Sequence, residues 1–287
     1  MTPGGSASGT FLLGVGCQKG GTAWMHRYLE ASPQCNPGFR KEYHVWDGLD
    51  LPSGRLARER VMQQARRVAS ALEAGEGAPA EALLRASFYA DADVYFDYFT
   101  SLLRAPETRL TADITPGYAG LSVQRFAAIR EGFERRGVRP VAVYLMRDPV
   151  ERIWSAARMD LRRQGYPEPA ADRVLRMHVR DMYASRTRYD ETMARLEQAF
   201  PREAIFYGFY ERLFDRDTLR NLCDFLGIDF HEPDLERQVN VSPKDAEQLP
   251  EATVRTVARH FREVYDAVAA RFPDLDLSAM WPSMRYL

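Results

Sequence analysis

The chain has 287 residues, 45% hydrophobic and 28% charged, which suits one large α/β domain or two small ones with a sizeable core and excludes disordered and fibrous classes. With 39 basic against 40 acidic residues the formal charge is −1, so no global field serves nucleic acid or an anionic membrane, and any anion site must be local. Three widely spaced cysteines, Cys17, Cys35 and Cys223, argue against a disulfide framework or a cysteine-built zinc site and for a reducing cytoplasm.

From the N-terminus, Met1 to Thr10 is small and polar, a flexible start, and the apolar run Phe11 to Cys17 lacks a preceding basic cluster and is too short to cross a bilayer. Neither a signal peptide nor a membrane insertion is expected. Phe11 to Gly16 reads as a short buried strand, followed by a glycine turn and a helix from Thr22 to Glu30 with Thr22 as its N-cap. Leu51 to Glu81 is helical in period but broken by Gly75, Gly77 and Pro79, and Asp93 to Leu103 predicts another helix. Arg109 to Ile114 predicts a second strand, Ser122 to Arg136 a helix, and Pro140 to Met146 the best strand, continuous in apolar residues as a buried parallel strand should be. Asp148-Pro149 is an N-cap and first-turn pair for a helix to about Arg163. After a loop at Gly165 to Pro169 come a long helical region to Phe200, a strand Ala204 to Phe209, a helix Glu211 to Leu226 stopped by Gly227, and a final amphipathic helix Ala252 to Phe272. Strands alternating with helices imply a single α/β domain with a parallel sheet covered on both faces and ligands outside the carboxyl ends of its strands.

Lysine occurs only at positions 19, 41 and 244, every other basic residue of the Lys/Arg kind being arginine. Two of the three fall in the segments that carry chemistry. Gly16-Cys17-Gln18-Lys19-Gly20-Gly21-Thr22 sits where a strand becomes a helix, and its adjacent glycines, exposed amides and helix start suit a phosphate or sulfate. The lysine precedes the glycine pair, unlike the nucleotide P-loop G-x-x-x-x-G-K-[ST], so a P-loop phosphotransferase is a rival without its expected lysine. The residues alone say anion site, with a plain glycine turn as the bland alternative. Beyond the best strand, Arg147 leaves its carboxyl end and Ser155 lies two turns into the next helix, so both reach an anion beside the first loop.

Together, GCQKGGTAWMHRYL and the later R-D-P-V-E-R-I-W-S resemble the two cofactor motifs of sulfotransferases that use 3′-phosphoadenylyl sulfate (PAPS), in the style of the heparan sulfate branch and its bacterial relatives. The resemblance implies a three-layer, P-loop NTPase-like sandwich with a central parallel sheet. It also implies PAPS as sulfuryl donor, adenosine 3′,5′-bisphosphate as product and no required metal. It places the 5′-phosphosulfate on Gln18, Lys19, Gly20, Gly21, Thr22 and Ala23, with Lys19 at the leaving oxygen, and the 3′-phosphate on Arg147 and Ser155. Arg40 to Asp47 resembles the family's segment with the general base, which maps to Glu42, beside Lys41 for the sulfuryl oxygens; His44 is the rival base, its ordinary pKa being nearer neutrality. Ala112 to Tyr118 is similar to the segment lining the acceptor cleft, which implicates Asp113, Thr115 and Tyr118, with Asp113 standing where a lysine is usual. Arg186 joins the cofactor set from the helix before the last strand, and Asn240 to Lys244 is either a lid over the adenine or a solvated loop. The acceptor, a small molecule, carbohydrate or lipid with a hydroxyl or amine, is not written in the sequence. Nor is the oligomeric state, and a catalytically silent nucleotide binder on the same scaffold is the second alternative.

Overall fold

A computed structural model describes residues 9–164, 170–235 and 249–287. Thr10–Gly16 forms β1, buried along its whole length, at the centre of a five-stranded sheet. β2 (Cys35–Asn36), β3 (Leu110–Ile114), β4 (Arg139–Met146) and β5 (Ile205–Phe209) complete it in the order β2-β3-β1-β4-β5, and every neighbouring pair is parallel. The alternation of side chains along each strand sorts the core into two layers. Phe11, Leu13 and Val15 of β1 and Ala142, Tyr144 and Met146 of β4 face one layer; Leu12, Val141, Val143 and Leu145 face the other.

The first layer is closed by the helices Ala92–Leu102, Val123–Glu134 and Pro149–Gln164, with Phe11 stacked on Phe133 at a centroid distance of 3.7 Å. The second is closed by Thr22–Glu30 and Arg216–Leu226, through Met25, Leu29, Leu219 and Leu222. The result is the expected three-layer α/β sandwich. Strand β1 is flanked by β3 on one side and β4 on the other, so the chain order reverses there, and the crevice outside its carboxyl end is where such sheets bind ligands.

The differences from the sequence reading lie mostly at the ends of helices. Gly21, in the left-handed region at φ 94°, caps the helix Thr22–Glu30, and Thr22 is its first helical residue. The long helical region to Phe200 consists of separate helices at Ala170–Met177, Asp181–Ala184 and Tyr189–Ala199. The break after the second frees the carbonyl of Tyr183, which accepts from Arg152 Nη2 at 2.9 Å and from Thr187 Oγ1 at 3.0 Å. The helix expected from Glu211 begins at Arg216, because 210–212 form a 3-10 turn whose glutamate is spent on the site below. The final helix is divided at Phe261, so that Val257 and Ala258 before it and Val264, Tyr265 and Val268 after it all reach the core. The short strand β2 and the helices Val45–Asp50 and Glu81–Ala90 had no periodicity long enough to be read. Among the described residues no helix is long and apolar enough to cross a membrane.

Candidate active site

The loop after β1 is shaped by steric necessity. A Cβ on Gly21 would lie 2.4 Å from Leu213 and one on Gly20 2.6 Å from Cys17 Sγ, so only glycine lets the chain turn this tightly against its neighbours. Lys19 also adopts a left-handed conformation, φ 72°, uncommon for a residue with a side chain and here sited at the apex of the turn. Gly20 N donates to the Cys17 carbonyl at 3.0 Å, and Trp24 and Met25 N–H return to the Gly21 carbonyl. Among the described residues no backbone carbonyl outside the helix accepts from the first-turn amides of Thr22 and Ala23, as at any helix start.

Arg147 comes off the end of β4 onto this loop. Its Nη1 donates to the Lys19 carbonyl at 3.3 Å, its Nη2 to Glu151 at 3.2 Å, and its guanidinium lies 4.3 Å from the centre of the Tyr210 ring. The backbone beneath is pinned: Tyr189 OH donates to the Arg147 carbonyl, and fully buried Asp148 accepts from Val150 N, Tyr265 OH and Ser283 N. Asp148 is thus the cap expected at this helix. Glu211 accepts from Asp148 N and Trp281 Nε1, tying the ends of β4 and β5 together. Ser155 is buried one helical turn beyond Glu151, on the same face.

The residues expected to do acid–base chemistry stand on the other side of β1, where Lys41 accepts at its carbonyl from Ile114 N at the end of β3. Lys41 Nζ is in tight contact with Glu42 Oε1, His44 Nε2 lies 3.2 Å from Glu42 Oε2, and His44 Nδ1 lies 2.7 Å from Asp47 Oδ2. Lys41, Glu42, His44 and Asp47 therefore form one continuous charged chain. Burial raises the Glu42 carboxyl, but the hydrogen bonds and charges of His44 and Lys41 outweigh it and bring the pKa to about 2. Burial lowers His44, yet Asp47 and Glu42 overcome it and lift the imidazole to about 9. At neutral pH the pair is carboxylate and imidazolium. His44 is held at φ 56°, the second left-handed residue with a side chain and also part of this site.

Asp113, Thr115 and Tyr118, expected to touch the acceptor, do not line the surface at all; each is fully buried beneath the charged chain. Asp113 accepts from Thr115 Oγ1, Tyr118 OH and Tyr95 OH at 2.6, 2.7 and 3.0 Å. Burial nevertheless pushes its pKa up to about 6. Thr115 Oγ1 in turn accepts from Tyr43 N, and Tyr118 OH from Val45 N. The trio thus supports the 43–45 backbone, with Arg85 on the Tyr43 carbonyl and Tyr89 on the His44 carbonyl completing the frame. An aspartate suits this position where a lysine would not, because three hydroxyl donors converge on it.

Arg186 connects the two sides, donating to Gln18 Oε1 at 2.8 Å, within electrostatic range of Asp47 and Glu42. Lys244 and the segment from Asn240 lie outside the described residues. Asp47 was the principal omission of the sequence reading; its position three residues after His44 was the available signal. Arg152 stood inside the R-D-P-V-E-R-I-W-S motif without a role of its own, and Tyr210 gave no signal.

A profile of the sulfotransferase family matches residues 12–232, more than three-quarters of the chain, and the chain belongs to that family. Among solved structures, a sulfotransferase from Alicyclobacillus acidocaldarius is similar, with 22% identity over 95% of this chain and 98% of that one and a TM-score of 0.57. The sulfotransferase domain of the Synechococcus PCC 7002 olefin synthase gives 18% identity, 88% and 94% coverage and a TM-score of 0.46. The first of these likenesses speaks to the fold. A comparison with curated proteins gives no match. The protein is a sulfotransferase by family.

Proposed function

We propose that this sulfotransferase moves the sulfuryl group of PAPS to a hydroxyl or amine acceptor, with Glu42 as the base. The observation that carries this reading is the contact of Arg147 with the Lys19 carbonyl, which brings two anion-binding elements from the ends of β1 and β4 into one crevice. Their chemistry fits a nucleotide with phosphates at both ends: a glycine cradle with free first-turn amides on one side, an arginine and a buried serine on the other. When bound, PAPS supplies an activated sulfuryl group on a phosphate leaving group.

The chain's part is positioning and charge. Lys19, Gly20, Gly21, Thr22 and Ala23 hold the 5′ side, with Lys19 neutralising charge on the leaving oxygen. Arg147 exchanges Glu151 for the 3′-phosphate, and Ser155 adds a hydroxyl on the same helix face. Lys41 exchanges Glu42 Oε1 for a sulfuryl oxygen. That exchange matters for proton transfer, because a carboxylate gripped on both oxygens, with a pKa of about 2, is a poor base. Relieved of Lys41, Glu42 takes the acceptor proton on Oε1, while His44, held by Asp47, keeps Oε2 in place. The acceptor is bound on the face of Lys41 and Glu42.

Calorimetry with adenosine 3′,5′-bisphosphate, and transfer of labelled sulfate from PAPS across an acceptor panel, test the reading. Micromolar or tighter binding of the bisphosphate, with much weaker binding of adenosine 5′-phosphate, is expected. Equal affinity for the two refutes a 3′-phosphate site at Arg147 and Ser155, and binding without transfer to any acceptor identifies a silent binder.

A further inference from the structure

Ser155 does not stand alone on its helix. Glu151, Trp154, Ser155 and Arg158 follow the i, i+3, i+4, i+7 spacing of one face of the helix Pro149–Gln164, the face on which Arg147 reaches Glu151. Helical side chains lean toward the N-terminus of their helix, and Arg158 does so here: its guanidinium lies over the Trp154 ring, 4.0 Å from its centre, one turn back and next to Ser155. A guanidinium laid over a ring is held by its face and keeps its N–H donors around its edge, available to an anion. Arg147 lies over Tyr210 in the same manner, and its edge donors reach the Lys19 carbonyl and Glu151.

The donors of Arg158 are not spent in this way. Arg125 and Arg136, also over rings, give theirs to Asp50 and to Asp93 and Asp97. Arg158 is half-buried, its Nε is buried without a partner, and among the described residues it forms no hydrogen bond or ion pair. Burial lowers its pKa, and Glu151 is the acid that offsets this. Yet Glu151 places Oε2 on Arg147, so one carboxylate serves a face with two guanidiniums. A half-buried cation with unused donors is costly unless an anion joins it.

We infer that Arg158 is a second arginine of the 3′-phosphate site, so that the phosphate takes the place of Glu151 between two guanidiniums, held by Arg147 and Ser155 on one side and by Arg158 on the other. This rests on the reading above. A phosphate monoester carries close to two negative charges at neutral pH and three acceptor oxygens, and so satisfies both arginines where the carboxylate engages one. A nucleotide without that phosphate leaves the face as it stands, with Glu151 on Arg147.

Calorimetry with adenosine 3′,5′-bisphosphate and adenosine 5′-phosphate tests this on the wild type, Arg158→Gln, Arg158→Lys, Glu151→Gln and the double variant Glu151→Gln/Arg158→Gln. Arg158→Gln should weaken the bisphosphate about tenfold or more, the scale of one charge-assisted hydrogen bond, and leave the monophosphate within about twofold. Arg158→Lys, which keeps the charge and loses the planar fork, should be intermediate. The loss should persist in the Glu151→Gln background, because a direct contact with the phosphate does not need the acid. Unchanged bisphosphate affinity in Arg158→Gln overturns the inference, as does an equal loss for both nucleotides. A loss that vanishes in the Glu151→Gln background also overturns it, since Arg158 would then merely receive the displaced carboxylate. A wild type that binds the two nucleotides equally overturns the underlying reading instead. If Arg158→Gln fails to fold, Arg158→Lys decides by the same difference between nucleotides.

Discussion

The two halves of the crevice are built by different means. On the side proposed for the donor the groups are largely backbone: a turn that only glycine permits at Gly20 and Gly21, the first amides of a helix, and an arginine placed by the end of a strand. On the acid–base side the groups are side chains, kept in place by a second set of buried side chains, with Asp113 receiving Thr115, Tyr118 and Tyr95 below and Thr115 and Tyr118 receiving the 43–45 backbone above. A backbone-built site is sensitive to the size of a residue and a network-built site to the loss of a single polar atom. The two halves should therefore fail in different assays.

The largest expected effect comes from the network side. Glu42→Gln keeps the shape and removes the basicity, and should lower the transfer rate by roughly 10²–10⁴, the usual scale of general-base catalysis, with adenosine 3′,5′-bisphosphate affinity nearly unchanged. Steady-state rates beside calorimetry check it; loss of nucleotide affinity to the same degree would erase the division between the halves. On the donor side, Arg147→Ala should raise the dissociation constant of the bisphosphate by roughly 10²-fold, as for removal of a charge-assisted pair, and leave adenosine 5′-phosphate binding much less changed. Equal losses for the two nucleotides would remove Arg147 from the 3′-phosphate.

A matched pair sharpens the comparison at smaller cost. Gly21→Ala forces a Cβ into Leu213 at φ 94° and should weaken nucleotide binding, with a loss of about 1–2 kcal/mol in stability from the left-handed residue alone. Thr115→Val is nearly isosteric but removes the hydroxyl between Asp113 and Tyr43 N, and should lower the transfer rate while nucleotide affinity holds. If both variants shift both measurements equally, the halves are one cooperative unit.

The same distinction explains what the sequence disclosed. Backbone-built sites leave a local signature, because the glycines, the lysine and the helix start must be contiguous, which is why Gly16 to Ala23 and Arg147 to Ser155 stood out as candidates; β1, β3, β4 and β5 were legible from their apolar runs. A network is assembled across the chain. Asp113 meets Tyr95 and Tyr118 only once β3 and two neighbouring elements are packed, so a motif reading assigned Asp113, Thr115 and Tyr118 to the acceptor surface when burial puts them underneath. Arg152 shows the same limit: its neighbours on the page of the sequence are Glu151 and Ile153, whereas its hydrogen-bond partner in space is Tyr183. Gly21 rather than Thr22 became the helix cap for a third reason, since the left-handed turn demanded by the loop overrode the side-chain preference.

The smallest effect tests which member of the pair carries the proton. His44 is lifted from its ordinary range to about 9 by Asp47 and Glu42 against the lowering effect of burial, so it is a cation at neutral pH and, on the proposed reading, orients Glu42 rather than competing with it. A group bound more tightly to its proton in the folded state stabilises the fold fully below its unfolded pKa, near 6.5, and that stabilisation is lost as pH rises through about 9. Wild-type stability in urea should therefore decline between about pH 6.5 and 9 relative to His44→Asn, in which this dependence is absent. The variant should lose only about tenfold in rate at neutral pH, one positioning hydrogen bond rather than the base. Its rate should also lack the decline expected of the wild type above about pH 9 as the imidazolium releases its proton. A loss larger than that of Glu42→Gln, with a wild-type rate that rises as His44 deprotonates, would make His44 the base and leave Glu42 to orient it.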